Sequence, residues 1–277
     1  MKNYKEKYYD FAISDFDGTI YNSNGEITKE TVNTVNAFID RGGTFCICTG
    51  RMTASIRLLL NKFSLNRGYV ISYNGAEITN LETGEKIYKN HIDTENTLKI
   101  LEYAEKMNFQ VLVYPNDVIT TANLTPQVEE YFQLNCIPGQ IINGKVSEYA
   151  KKNQITTGKA LFLTGGDPTV TKRILKDLPL ILGNEFNITN SNKFHVDIMR
   201  KDVSKGETIK IFAKIIEKSL DKLICFGDEM NDFSMMKVAK CAAVMQNGSE
   251  LLKKEADIII DSCDNDGVRK AIEKYCI

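Results

Sequence analysis

The 277-residue sequence lacks an excess of either charge: Lys plus Arg number 35, Asp plus Glu 36, and the net charge is −1. So even a balance offers no polycationic surface to nucleic acid or anionic lipid, and any charge that holds a phosphate must be local. The cysteines lack a pattern. Seven is an odd number, they are scattered, and no CxxC pair occurs, which speaks against a disulfide framework and for reduced structural thiols, with Cys46 and Cys48 alternating on one face of a strand. Histidine is scarce: His91 and His195 are the only two, and both lie far in sequence from the motifs below and read as structural. Long apolar runs are missing too. The stretch Met1 to Asp10 is charged and tyrosine-rich and precedes only a short apolar run, so neither a signal peptide nor a transmembrane segment is expected, and the cytoplasm is the expected compartment. No internal repeat, low-complexity tract or long linker occurs. What is present is 43% apolar residues, enough to bury a substantial core without disulfides, over a length that suggests about two domains.

From Phe11 onward short apolar runs alternate with helical periodicity. Phe11–Ser14 is strand-like, Val32, Val35, Phe38 and Ile39 mark one helical face, and Thr44–Cys48 is strand-like again, the βαβ rhythm of a parallel sheet. The rhythm returns late, with strands at Lys222–Phe226, Ala242–Met245 and Asp257–Ile260, a short helix after Asp228, and a helix over Val268–Tyr275. The middle differs. Ala76–Thr79 and Lys86–Lys89 flank the turn Glu82-Thr83-Gly84, strands such as Gln110–Tyr114 and Ala160–Thr164 alternate with helices, and Asp167-Pro168 supplies a cap and first-turn proline. The expectation is an α/β protein: a Rossmann-like doubly wound parallel sheet formed by residues 1–83 and 190–277, with an α+β domain, residues 84–189, inserted between the halves.

Asp15-Phe16-Asp17-Gly18-Thr19 follows the first strand, so both carboxylates project from the edge where open α/β sheets bind ligands, and Gly18 lets the chain turn there. An Asp- and Gly-rich turn has the same composition when it is only a turn. A calcium loop would place Asp15, Asp17 and Glu26 at its first, third and twelfth positions, but the sixth is Ile20 where glycine is required, and a strand rather than a helix leads in. Thr49-Gly50-Arg51 follows the second strand and offers a hydroxyl and a backbone N–H suited to a phosphate oxygen. Ser204-Lys205-Gly206-Glu207 has capping-box spacing, which fixes Lys205 in a first helical turn, where a lysine on its own is usually solvent-exposed. Gly227-Asp228-Glu229-Met230-Asn231-Asp232 brings further carboxylates to the same sheet edge. Such clustering is costly unless a cation binds, and an oxygen-only set favours Mg²⁺ over zinc.

These four motifs, in this order, resemble those of the haloacid dehalogenase-like phosphatases, and the central insertion with Ser72-Tyr73-Asn74-Gly75-Ala76 before it is similar to the C2-type cap of the Cof subfamily. The resemblance spans nearly the whole chain from Phe11. It departs at Val244-Met245-Gln246-Asn247-Gly248, where relatives place a small residue and alanine around the asparagine, which puts a loop conformation in doubt. It implies that Asp15 attacks phosphorus and that Asp17 protonates the leaving oxygen and then activates water. Thr49, Gly50, Lys205 and Asn231 would hold phosphate oxygens. Mg²⁺ would be held by Asp15, the Asp17 carbonyl and Asp228, with Asp232 steadying its water shell. The implied substrate is a small phosphomonoester, a sugar phosphate or a phosphorylated cofactor, with no nucleic acid or membrane partner, and the protein is expected to be a monomer or small homo-oligomer. A phosphotransferase or mutase on the same scaffold, and a catalytically silent metabolite-binding module, are the alternatives.

Overall fold

The computed structural model describes residues 9–277. Its elements begin with β1 (Phe11–Ser14), α1 (Lys29–Asp40), β2 (Thr44–Cys48), α2 (Thr53–Lys62), β3 (Tyr69–Ser72), β4 (Glu77–Asn80) and β5 (Lys86–Lys89). There follow α3 (Thr94–Met107), β6 (Gln110–Val113), β7 (Thr120–Thr121), α4 (Pro126–Leu134), β8 (Gln140–Ile141), α5 (Val146–Lys152), β9 (Ala160–Leu163), α6 (Pro168–Leu182), β10 (Phe186–Asn192) and β11 (His195–Arg200). The last group is α7 (Lys205–Ile215), β12 (Leu223–Gly227), α8 (Phe233–Val238), β13 (Cys241–Met245), α9 (Glu250–Lys253), β14 (Ile258–Ile260) and α10 (Gly267–Tyr275). The chain forms two compact units, one from residues up to 50, 56–88 and 204–277, the other from 51–55 and 89–203.

The first unit is an eight-stranded sheet in the order β14-β13-β12-β1-β2-β3-β4-β5. Strands β14 through β3 run parallel, and β4 turns back antiparallel on β3. Both faces are covered. Ala12, Phe45, Ile47, Ile224 and Phe226 pack with Val35 and Phe38 of α1 and Ile272 of α10, while Phe11, Ile13, Cys46 and Cys225 pack with Ile209 and Phe212 of α7 and Met235 of α8. Burial on two sides is why these strands read as unbroken apolar runs rather than alternating ones. Parallel pairing of β12, β1 and β2 aligns their C-terminal ends along one edge, and Asp228, Asp15 and Thr49 follow those ends directly.

The second unit is a six-stranded sheet, β10-β11-β9-β6-β7-β8, with β11 and β6 antiparallel to β9. Ile100 and Leu101 of α3, Ala150 of α5 and Ile174 and Leu178 of α6 pack against Val113, Phe162 and Val196 of the sheet. Asp93 caps α3 through Asn96 N, and Asp167, followed by Pro168, caps α6 through Thr169 N, each satisfying an otherwise orphaned amide.

Two expectations about the borders change. The hairpin around Glu82-Thr83-Gly84 belongs to the first sheet, because β4 pairs with β3 in the register Tyr69↔Asn80 to Ser72↔Glu77, so the long segment of the second unit starts at Lys89 rather than 84. The border expected at 190 falls inside β10, which pairs with β11 from Phe186↔Arg200 onward, and β11 pairs with β9, so the second unit extends to Val203. Among the described residues no helix is long and apolar enough to cross a membrane.

Candidate active site

Asp15 extends β1 by one residue, its N–H donating to Phe226 O of β12 at 2.8 Å, and its side chain is 8% exposed. Lys205 is the first residue of α7, set there by Ser204, whose hydroxyl accepts from Glu207 N at 3.2 Å. Against the expectation for a lone first-turn lysine it is 1% exposed. Its Nζ lies 2.5 Å from Asp15 Oδ1 and 2.5 Å from Asp232 Oδ1. The other Asp232 oxygen accepts from Asp228 N at 3.0 Å and Glu229 N at 3.2 Å, so the turn after β12 folds around this carboxylate. Asp228 Oδ1 accepts from Thr19 Oγ1 at 2.8 Å. Oxygens of Asp15, Asp228 and Asp232 all lie within 4.8 Å of one another.

Two buried carboxylates, Asp15 and Asp232, thus share one ammonium, with a third, Asp228, beside them. Burial, then Asp232, pushes the Asp15 carboxyl well above its usual range against the pull of Lys205. Burial likewise raises Asp228, to about 6, against the Thr19 hydrogen bond. Burial by itself would lower Lys205, but Asp15 and then Asp232 outweigh it and hold the ammonium charged beyond its ordinary range. Cys48 ends β2 nearby, and burial, against the pull of Lys205, keeps it a thiol by pushing it up to about 12. The donor set is therefore oxygen-only and short of positive charge, which fits a hard divalent cation such as Mg²⁺.

The remaining expected residues stand around this cluster. Gly18 adopts a left-handed φ of 72°, and a Cβ there would fall 2.4 Å from Asp228 Oδ2, so the turn can approach the carboxylate only without a side chain. Asp17 is exposed on that turn and Asn231 is exposed on the turn that carries Asp228 and Asp232. Thr49 is buried and its N–H donates to Ile71 O at 2.8 Å, with Gly50 next in the chain. His91 and His195 lie in the second unit, where His195 stands edge-on to Tyr131 at 5.8 Å between ring centres.

The sequence pattern of the haloacid dehalogenase-like hydrolases matches residues 12–272. The chain belongs to this family. It is similar to a Streptococcus pyogenes protein named provisionally as a phosphatase, 28% identical over 265 residues and covering 95% of this chain and 97% of the relative. It is similar also to the Bacillus subtilis 5-amino-6-(5-phospho-D-ribitylamino)uracil phosphatase, 23% identical with 95% and 94% covered. Among solved structures, a haloacid dehalogenase-like hydrolase from Bacteroides thetaiotaomicron matches with a TM-score of 0.86 at 30% identity, covering 96% of this chain and 99% of that one.

Two residues of this haloacid dehalogenase-like site escaped the sequence reading. Thr19 was legible only as the end of a motif, yet its hydroxyl orients Asp228. Asn247 lies in the loop after β13, and its Nδ2 donates to Gly18 O at 2.8 Å while its Oδ1 accepts from Cys263 N at 2.9 Å. Two residues on, Ser249 N donates to Asp228 O at 2.8 Å. The loop after β13 therefore ties the Asp15 turn to the Asp228 turn. The available signal was its position, a polar loop at the C-terminal end of a parallel strand.

Proposed function

We propose that the protein is a Mg²⁺-dependent phosphatase that removes phosphate from a small phosphomonoester through a phospho-aspartyl intermediate on Asp15. The observation that carries this is the buried Lys205 ammonium between Asp15 and Asp232, beside Asp228. A charged lysine against one oxygen of Asp15 orients that carboxylate and opposes the burial and the Asp232 charge that disfavour its ionised form, which favours a nucleophile approaching an anionic phosphate.

In the proposed reaction an Asp15 oxygen bonds to phosphorus as the bond from phosphorus to the leaving oxygen breaks. Asp17, exposed on the same turn, gives a proton to the leaving alcohol. The same carboxylate then takes a proton from the water that cleaves the acyl phosphate, which restores Asp15 and releases inorganic phosphate. Thr49, Gly50, Lys205 and Asn231 hold the phosphate oxygens. Asp15, the Asp17 carbonyl and Asp228 would hold Mg²⁺, with Asp232 steadying its water shell. When bound, the ion offsets the charge shared by phosphate and nucleophile. The names of the relatives support a phosphorylated metabolite as substrate, a sugar phosphate or phosphorylated cofactor, and the absence of any disulfide among the seven cysteines fits the reducing cytoplasm. We expect a monomer or small homo-oligomer acting without nucleic acid or membrane. Turnover of an aryl phosphate with Mg²⁺, lost on exhaustive chelation and restored by the ion, is the expected result. Full activity after chelation would remove the metal, and no turnover with it would remove the phosphatase reading.

A further inference from the structure

The link from β3 to β4, Ser72-Tyr73-Asn74-Gly75-Ala76, carries an unusual backbone. Tyr73 and Asn74 both adopt left-handed φ, 52° and 53°, and Gly75 follows at 120°. Tyr73 is fully buried. Asparagine tolerates this region, but a bulky residue there is strained and persists only where its surroundings hold it. Reversing the chain between two antiparallel strands does not require two consecutive left-handed side-chain-bearing residues, since glycine meets that need without strain.

The contacts of this buckle show what it connects. Asn74 N–H donates to Thr49 O at 2.9 Å. The Asn74 carboxamide lies on Gly50, where a Cβ would fall 3.0 Å from Oδ1 and 3.2 Å from Nδ2. One residue on, Gly75 O accepts from Thr208 Oγ1 at 2.8 Å, in the first turn of α7, the helix that begins with Lys205. Two successive residues, Asn74 and Gly75, thus join the Thr49-Gly50 turn to the end of α7 that carries the buried ammonium.

We infer that the 73–75 buckle is the positioning element of the phosphate site and that Asn74 is its working residue. Its amide fixes the Thr49 carbonyl and its carboxamide confines Gly50, so that the Thr49 hydroxyl, the Gly50 N–H and the Lys205 ammonium meet a phosphate in one geometry. The role rests on the phosphatase reading. Because Asn74 touches neither nucleophile nor leaving group in this scheme, its loss should show in phosphate affinity more than in the chemical step.

The test compares Asn74→Gly and Asn74→Asp with the wild type, using an aryl phosphate with Mg²⁺, inhibition by inorganic phosphate, and urea denaturation. Glycine accepts the left-handed φ and keeps the N–H, so Asn74→Gly should unfold at the wild-type urea midpoint. It should nonetheless raise KM and the inhibition constant for inorganic phosphate about tenfold, with kcat changed less than about threefold. Asn74→Asp keeps shape and conformation but sets a negative charge beside the phosphate, and both constants should rise further, on the order of 10²-fold, and more at low salt. An Asn74→Gly enzyme with wild-type KM and inhibition constant would overturn the positioning role while leaving the phosphatase reading intact, and so would a loss confined to the urea midpoint. A wild type without turnover would overturn both and is visible in the control.

Discussion

Lys205 offers the sharpest test of the electrostatics, because its burial was not the expectation for a first-turn lysine. Lys205→Met keeps an unbranched side chain one heavy atom shorter and removes the charge and its hydrogen bonds. The Asp15 and Asp232 side chains, 8% and 0% exposed, are then left without the ammonium 2.5 Å from each. Removing one partner from a buried ionic group costs about 3–5 kcal/mol, against a total stability of about 5–15 kcal/mol. The loss should depend on pH, and its sign is fixed. The folded-state value of Asp15 already lies above its unfolded value, chiefly through burial and Asp232, and Lys205 opposes both. Without the lysine the folded protein takes up a proton more readily than the unfolded chain, so stability falls as pH rises from the unfolded carboxyl value through the raised folded one. Urea denaturation of the variant in chelator-containing buffer should therefore show a deficit of about 3–5 kcal/mol near neutral pH that shrinks on acidification. Adding Asp232→Asn should recover part of it, since one of the stranded charges goes with it. The phosphatase should lose at least about 10²-fold in kcat/KM. A deficit under about 0.5 kcal/mol, the behaviour of a surface residue, or one that grows on acidification, would refute the buried-cluster reading.

Asp15→Asn should abolish multiple turnover and leave no acid-stable covalent phosphate, while Asp17→Asn should slow both half-reactions by about 10²–10⁴-fold yet still accumulate label on Asp15 from an activated aryl phosphate; acid-quench labelling distinguishes them, and label on Asp17 would reverse the two roles. Of the seven cysteines only Cys136 is exposed, so a thiol reagent at pH 8 should modify one group rapidly and the others only on unfolding, Cys48 among the slowest because burial pushes it up to about 12; rapid modification of several would contradict the packing of the first sheet. In the second unit a cavity of about 290 Å³ is lined by Tyr131, Leu163, Phe194 and His195, and Tyr131→Ala should change the order of preference in a panel of phosphorylated metabolites while an aryl phosphate is turned over as before; an equal loss on both would place Tyr131 in phosphate handling or folding.

What could be read from the sequence divides along a physical line. β1 is legible to the residue because both its faces are buried and every position from Phe11 to Ser14 is shielded, and α1 is legible because Val32, Val35 and Phe38 repeat at helical spacing. The β4–β5 hairpin was legible as a hairpin but not as part of the first sheet, since a turn signal names the strands it joins and not the neighbour they pair with. β10 was hidden by Asn187, Thr189 and Asn190, polar residues that break the period-2 pattern on an edge strand, and with it went the border near 190. In the site, Asp15, Thr49, Asp228 and Asp232 stood out because side-chain chemistry follows parallel strand ends, a pattern that needs only local spacing. The burial of Lys205 could not be read, since its partners lie 190 and 27 residues away along the chain. Asn247 and Asn74 were harder still, because each acts on a backbone carbonyl, that of Gly18 and that of Thr49, and every residue has one. Residues that do chemistry announce themselves by side-chain type, whereas residues that hold a loop in place by its backbone become visible only when the partner is seen, which is why the variants most worth making beyond the four motifs lie at these two asparagines.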